Sequence, residues 1–111
     1  MKGTYLGEFE ELVLLITGIL YDNAYGVSVA SAIENQTGRP VSLSAVHTAL
    51  YRLEEKGYVK SAHGGATKER GGRRKRIYLI TAAGKSALNE VRLMRNRLWE
   101  MIPQKPITSI S

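Results

Sequence analysis

The stretch from Ser42 to Gly57, SLSAVHTALYRLEEKG, constrains the fold of this chain more than any other. It reads as a helix with both ends marked. Ser42 can accept a hydrogen bond from a free amide of the first turn, and Gly57 sits where a left-handed residue closes a helix. Val46, Leu50 and Leu53 recur at i, i+4 and i+7 with Ala49 beside them, an apolar stripe that needs a body to lie on. Ser44, His47, Thr48, Tyr51, Arg52 and Glu55 point the other way. This outward face is uncharged over its first two turns and rich in groups that both donate and accept, the kind that read base edges in a major groove. By itself the face reads as plain solvated surface. Its neighbours change that reading.

The segment from Gly65 to Arg76, GATKERGGRRKR, carries Lys68, Arg70, Arg73, Arg74, Lys75 and Arg76 against the single acid Glu69. Most of the chain's net charge of +6 therefore lies in one short stretch. Such concentration is the footprint of a polyanion partner, where each cation that neutralises a phosphate releases a counterion. A solvated basic loop is the plainer alternative. Strand-like segments flank the run, however, at Tyr58–His63 and Lys75–Ile80. They predict a hairpin whose tip extends from Gly64-Gly65 to Gly71-Gly72, with the cations on the tip and on the start of the returning strand. Those cations are expected to meet phosphates or a minor groove, while Ser44, His47, Thr48 and Tyr51 read bases and Arg52 meets the backbone or Glu55.

Before the Ser42 helix, Phe9, Leu12, Val13, Ile16, Ile19 and Leu20 keep helical spacing, and Leu14 and Leu15 widen the apolar face beyond one side. Burial against a second chain is the expectation. A turn at Asp22-Asn23-Ala24 follows. Tyr25-Gly26 then opens a helix over about Val27 to Thr37, closed by Gly38, and Arg39-Pro40 forces extension. After the hairpin, Thr81 can cap a last helix from about Ala82 to Met101, beyond which Pro103 and Pro106 block continuation. Ala87, Val91, Met94, Leu98 and Met101 are spaced 4, 3, 4, 3, a short heptad seam suited to a partner. The expected dimer interface is this seam with Phe9, Val13 and Ile16.

The fold class implied is mainly α with a small β-hairpin: a winged helix-turn-helix with an additional C-terminal dimerisation helix. Residues 1–81 form the DNA-binding domain with its N-terminal helix, residues 82–102 the dimerisation helix, and residues 103–111 a tail expected to be disordered. One small domain of 111 residues, 43% hydrophobic, leaves no room for a two-domain enzyme. The absence of cysteine removes disulfides, thiolate metal sites and Cys nucleophiles together. His47 and His63 are the only histidines, and no carboxylates pair in a recognisable constellation, so no catalysis, metal or cofactor is expected. The longest apolar run, Leu12 to Tyr21, falls short of the roughly 20 residues of a membrane span. With Glu8, Glu10 and Glu11 early in the chain, a secretory signal is not expected either, and the location expected is the cytoplasm.

These segments together resemble the PadR family of bacterial transcriptional regulators, particularly its short members. The resemblance covers about Leu12 to Leu88. It rests on Tyr25-Gly26, on Leu50-Tyr51-Arg52-Leu53-Glu54-Glu55-Lys56-Gly57-Tyr58-Val59, on Gly71-Gly72-Arg73-Arg74-Lys75, and on Tyr78-Leu79-Ile80-Thr81-Ala82-Ala83-Gly84. The chain departs from the family at His47-Thr48, where a Tyr-Pro pair is usual, and at Leu79, where a polar residue is common. The resemblance implies a homodimeric repressor of a roughly palindromic operator, without catalytic activity. It also implies that a small aromatic effector is a possible ligand between the subunits, with Trp99 the candidate to line its pocket. The alternative from another class is a winged-helix module that docks on protein. A docking face of that kind would show exposed aromatics rather than a concentrated basic loop.

Overall fold

The computed structural model describes residues 5–66 and 74–105. Its elements are α1 (Glu8–Leu20), a 3-10 turn (Tyr21–Asn23), α2 (Gly26–Thr37), α3 (Leu43–Glu55), strands β1 (Val59–Ala66) and β2 (Arg74–Ile80), and α4 (Ala82–Met101). The fold is the mainly helical one with a two-stranded antiparallel hairpin that the sequence predicts.

Local chemistry sets most of these boundaries. Ser42 Oγ accepts from the Ala45 amide at 3.1 Å and starts α3. At the other end Gly57 takes φ +82°, its amide donating to Glu54 O at 3.0 Å while the Tyr58 amide donates to Leu53 O at 2.9 Å. That is a Schellman close, and the left-handed residue it needs is glycine. Gly38 ends α2 in the same region, with φ +72°. Glu8, Glu10 and Glu11 occupy the first turn of α1, where the positive end of the helix dipole favours them.

The core forms where α1, α2 and α3 meet the hairpin. Val13, Leu14 and Ile16 of α1, Val29 and Ile33 of α2, and Val46, Ala49, Leu50 and Leu53 of α3 are buried together with Tyr58, Val59, Tyr78 and Ala87. Complete burial of a leucine such as Leu50 contributes about 2 to 3 kcal/mol, enough for the α3 stripe to hold that helix in place. β2 is pinned to the α1–α2 turn by the Tyr78 amide, which donates to Ala24 O at 2.8 Å.

Thr81 joins the hairpin, α3 and α4. Its hydroxyl accepts from the Gly84 amide at 3.0 Å, capping α4, and donates to Gly57 O at 2.7 Å. Its own amide donates to Tyr58 O at 2.9 Å. A Cβ on Gly84 would strike the Tyr58 carbonyl and the Ile80 side chain, so only glycine permits this approach. The Y-x-x-T-x-x-G pattern is thus a joint that fixes where α4 leaves the body.

The hairpin departs from expectation at its tip. β1 runs through Gly64 and Gly65 to Ala66, which pairs with Arg74, with a register irregularity between His63 and Ala66. Two glycines expected in the loop therefore lie in the strand, at the irregularity between His63 and Ala66, the kind of place where glycine is found within strands. His63 is an exposed strand residue opposite Arg76. The part of the tail beyond Lys105 lies outside the described residues. No described helix is long and apolar enough to cross a membrane.

Candidate nucleic-acid interface

α3 lies on the core through Val46, Ala49, Leu50 and Leu53, so its opposite face is presented outward by geometry alone. Ser44, His47, Thr48, Tyr51 and Arg52 are all exposed, Tyr51 at 63%. This face borders an open groove of about 770 Å³ between α3, the first turn of α2 and the base of the hairpin. Tyr25, Gly26, Val27, His47, Thr48, Tyr51, Lys75, Arg76 and Tyr78 line it. Tyr25 and Val27 were not among the residues expected here. The Tyr25-Gly26 pair was the one available signal, since it marks the start of a helix that must meet α3.

Gly26 lets the two helices close up. A Cβ there would collide with the His47 ring, so the imidazole occupies the space that a side chain would fill. The first turn of α2 is held from behind by Ser28, whose hydroxyl donates to Asn23 O at 2.7 Å and accepts from the Tyr25 amide at 2.9 Å. Across the groove the Lys75 ammonium stands 4.3 Å from the centre of the Tyr25 ring, a cation–π contact that draws the hairpin base toward α2.

Of the basic residues expected to meet phosphates, Lys68, Arg70 and Arg73 lie outside the described residues, and Arg74 is described for its backbone alone. Lys75 and Arg76 are exposed, but they differ in what holds them. Arg76 Nε donates to Ser61 Oγ at 3.1 Å, and Ser61 in turn donates to Glu54 Oε2 at 2.7 Å. Its guanidinium also stands 3.8 Å from Glu54 Oε1. Arg76 therefore shares its charge with an acid of α3, a tie that spacing along the sequence does not reveal. Beneath it Tyr78 is buried, and burial raises its phenol above the ordinary pKa; Arg76 opposes that shift and Glu54 adds to it. The phenol stays neutral.

The surface expected for a second copy needs correction on α1. Val13 and Ile16 are 0% and 3% exposed, and Ala87 of α4 is 3% exposed, all within the core of one chain. Phe9 is half-buried against that core. α1 is apolar nearly all round, and α2, α3 and β2 pack on the side that bears Val13 and Ile16. Leu15 and Ile19, 43% and 70% exposed, are left outward instead. On α4, Val91 is half-buried, whereas every residue from Arg92 to Met101 is exposed. A helix of this length spans about 30 Å, and its second half projects past the body. Met94, Leu98, Trp99 and Met101 are exposed there, with Leu93 and Ile102 beside them.

Trp99 lines a second groove, of about 500 Å³, between α1 and α4. Leu15 and Leu88 supply apolar walls, while Lys85, Arg92 and Arg95 make it basic. Arg95 pairs with Glu11 at 3.1 Å and braces α4 against α1.

Residues 15–90 match the model of the transcriptional regulator PadR-like family. The fold is similar to a PadR-like transcription factor from Bacteroides fragilis (19% identity over 85% of each chain, TM-score 0.69). It is also similar to a PadR-family regulator from Eggerthella lenta (24% identity, 84% of this chain and 80% of that one, TM-score 0.66). A third similar structure is a PadR-family regulator from Clostridium difficile (22% identity, 87% of this chain and 100% of that one, TM-score 0.65). No curated protein matches the sequence.

Proposed function

The chain belongs to the PadR-like family of transcriptional regulators, DNA-binding proteins without catalytic activity, and on that premise we propose that it acts as a homodimeric repressor reading a roughly palindromic operator. The observation that carries this reading is the outward face of α3. Its apolar stripe is used up in the core, while Ser44, His47, Thr48, Tyr51 and Arg52 face solvent beside the cationic hairpin base. In this arrangement α3 enters the major groove, and Lys75 with the basic residues of the hairpin tip neutralises flanking phosphates. One chain offers one reading helix. Two copies related by a two-fold axis would set two helices about 34 Å apart, matching half-sites on one side of the duplex. The projecting half of α4, with Met94, Leu98 and Met101 exposed, supports such pairing.

Selection of binders from random duplex DNA by the purified protein tests this reading. Enrichment of an inverted repeat with half-sites about one helical turn apart is expected. Enrichment of no sequence would remove it.

A second reading concerns an effector. The groove at Trp99 combines apolar walls with Lys85 and Arg92, Arg95 being paired with Glu11 on the same wall, which suits a small aromatic anion. Quenching of the emission of Trp99, the only tryptophan, by such a compound would support it, provided the same compound releases operator DNA.

A further inference from the structure

We propose that Val27, on the first turn of α2, is a specificity-determining residue that makes apolar contact with the C5-methyl group of a thymine in the operator. The inference rests on the DNA-binding reading above and adds a residue of α2 to the face formed by α3.

Val29 and Ile33, the other large apolar residues of α2, are buried, whereas Val27 is 55% exposed. It lies on the wall of the groove that His47, Thr48 and Tyr51 border, and it is the one aliphatic side chain among the described residues lining that groove. Gly26 puts it there. Because no Cβ stands between the α2 backbone and the His47 ring, the first turn of α2 abuts the reading face of α3 rather than its flank. Cα–Cβ bonds tilt toward the helix N-terminus, so Val27 projects toward the end of α2 that meets the groove. Its β-branched side chain has little rotamer freedom to lose on contact.

Chemistry narrows the target. The first turn of a helix favours acidic and small polar side chains, which satisfy free amides or complement the dipole, and valine does neither. A phosphate gains nothing from an isopropyl group. Of the features that base pairs present in the major groove, the thymine methyl is the apolar one. His47, Thr48 and Tyr51 offer hydrogen bonds for the neighbouring base edges, and Val27 adds an aliphatic surface larger than the single methyl of Thr48.

The test replaces each thymine of the selected operator by uracil, one at a time, and compares wild type with Val27→Ala. Uracil keeps every hydrogen-bonding group and lacks only the methyl. Wild type should lose about fourfold in affinity at one thymine of each half-site, the loss of one buried methyl-sized group. Val27→Ala should bind the thymine operator about that much more weakly and show a thymine-to-uracil ratio near one at that position. Val27→Thr, which keeps one methyl branch, should fall between them. If Val27→Ala retains the wild-type ratio at every thymine, the proposal is wrong. Equal weakening on operator and random duplexes would also overturn it, marking a sequence-independent contact with sugar. Failure of wild type to select any sequence is a separate result that removes the DNA-binding reading itself, and this inference with it.

Discussion

The imidazole of His47 lies in the space that a Cβ on Gly26 would fill, so one absent side chain on α2 sets the position of one reading side chain on α3. His47 is exposed and can swing away, which separates a cost in reading from a cost in folding. Gly26→Ala should therefore lower stability by less than about 1 kcal/mol, since only the end of a mobile side chain must yield. It should change base preference at the same operator positions as His47→Ala. Thermal melts and binding to single-base operator variants check the two halves.

Lys75 and Arg76 are neighbours with different expected roles. Lys75 contacts only a ring among the described residues, so its charge is available to a phosphate, whereas Arg76 is tied to Ser61 and Glu54. Lys75→Ala should reduce the slope of log affinity against log salt by about one and weaken operator and random duplexes alike. Arg76→Ala should show a smaller change in slope and a loss of stability of about 1 kcal/mol, as its hydrogen bond to Ser61 on β1 and its ion pair with Glu54 on α3 are lost. Titrations at several salt concentrations, with urea melts of both variants, separate these outcomes.

Much of this architecture is legible in the sequence because its boundaries are local. Ser42, Gly57, Gly38 and Thr81 each act on their own helix end, and the observed caps are theirs. What could not be read depends on contacts between distant segments. The apolar residues of α1 run so far round the helix that spacing cannot say which face meets the core, and Val13 and Ile16 proved to be inside while Leu15 and Ile19 are outside. Arg76 looks like one cation among six until β1 and β2 pair and bring Ser61 and Glu54 to it. Gly26 reads as a helix-start glycine and Gly84 as the end of a family pattern, and their purpose, close approach to His47 and to the Tyr58 carbonyl, exists only in three dimensions.

Tyr78 should give stability an alkaline limb. Its folded pKa is raised above the ordinary 10.0 chiefly by burial, so the native state holds this proton more tightly than the unfolded chain does. The contribution is fully present below about pH 10 and is lost as pH rises through the folded pKa. Urea midpoints should fall as the pH rises above about 10, and fall less steeply in Tyr78→Phe, which has no proton to lose there.

If α4 pairs with a second copy, its projecting apolar residues are buried only in the dimer. Leu98→Glu puts a charge at an exposed position, so the single chain should still fold while self-association fails. Sedimentation should show wild type as a dimer at micromolar concentration and the variant as a monomer with unchanged helical content. Binding to one half-site should persist weakly, and cooperative binding to the full operator should disappear. A variant that sediments as a dimer would exclude this surface.

On the DNA-binding reading the outward face of α3 reads sequence, and base-by-base binding profiles of His47→Ala and Thr48→Ala measure this. Each variant should lose discrimination at one or two positions per half-site, worth about 1 to 3 kcal/mol, while affinity for random duplex stays near the wild-type value. Profiles that keep every wild-type base preference in both variants would contradict it.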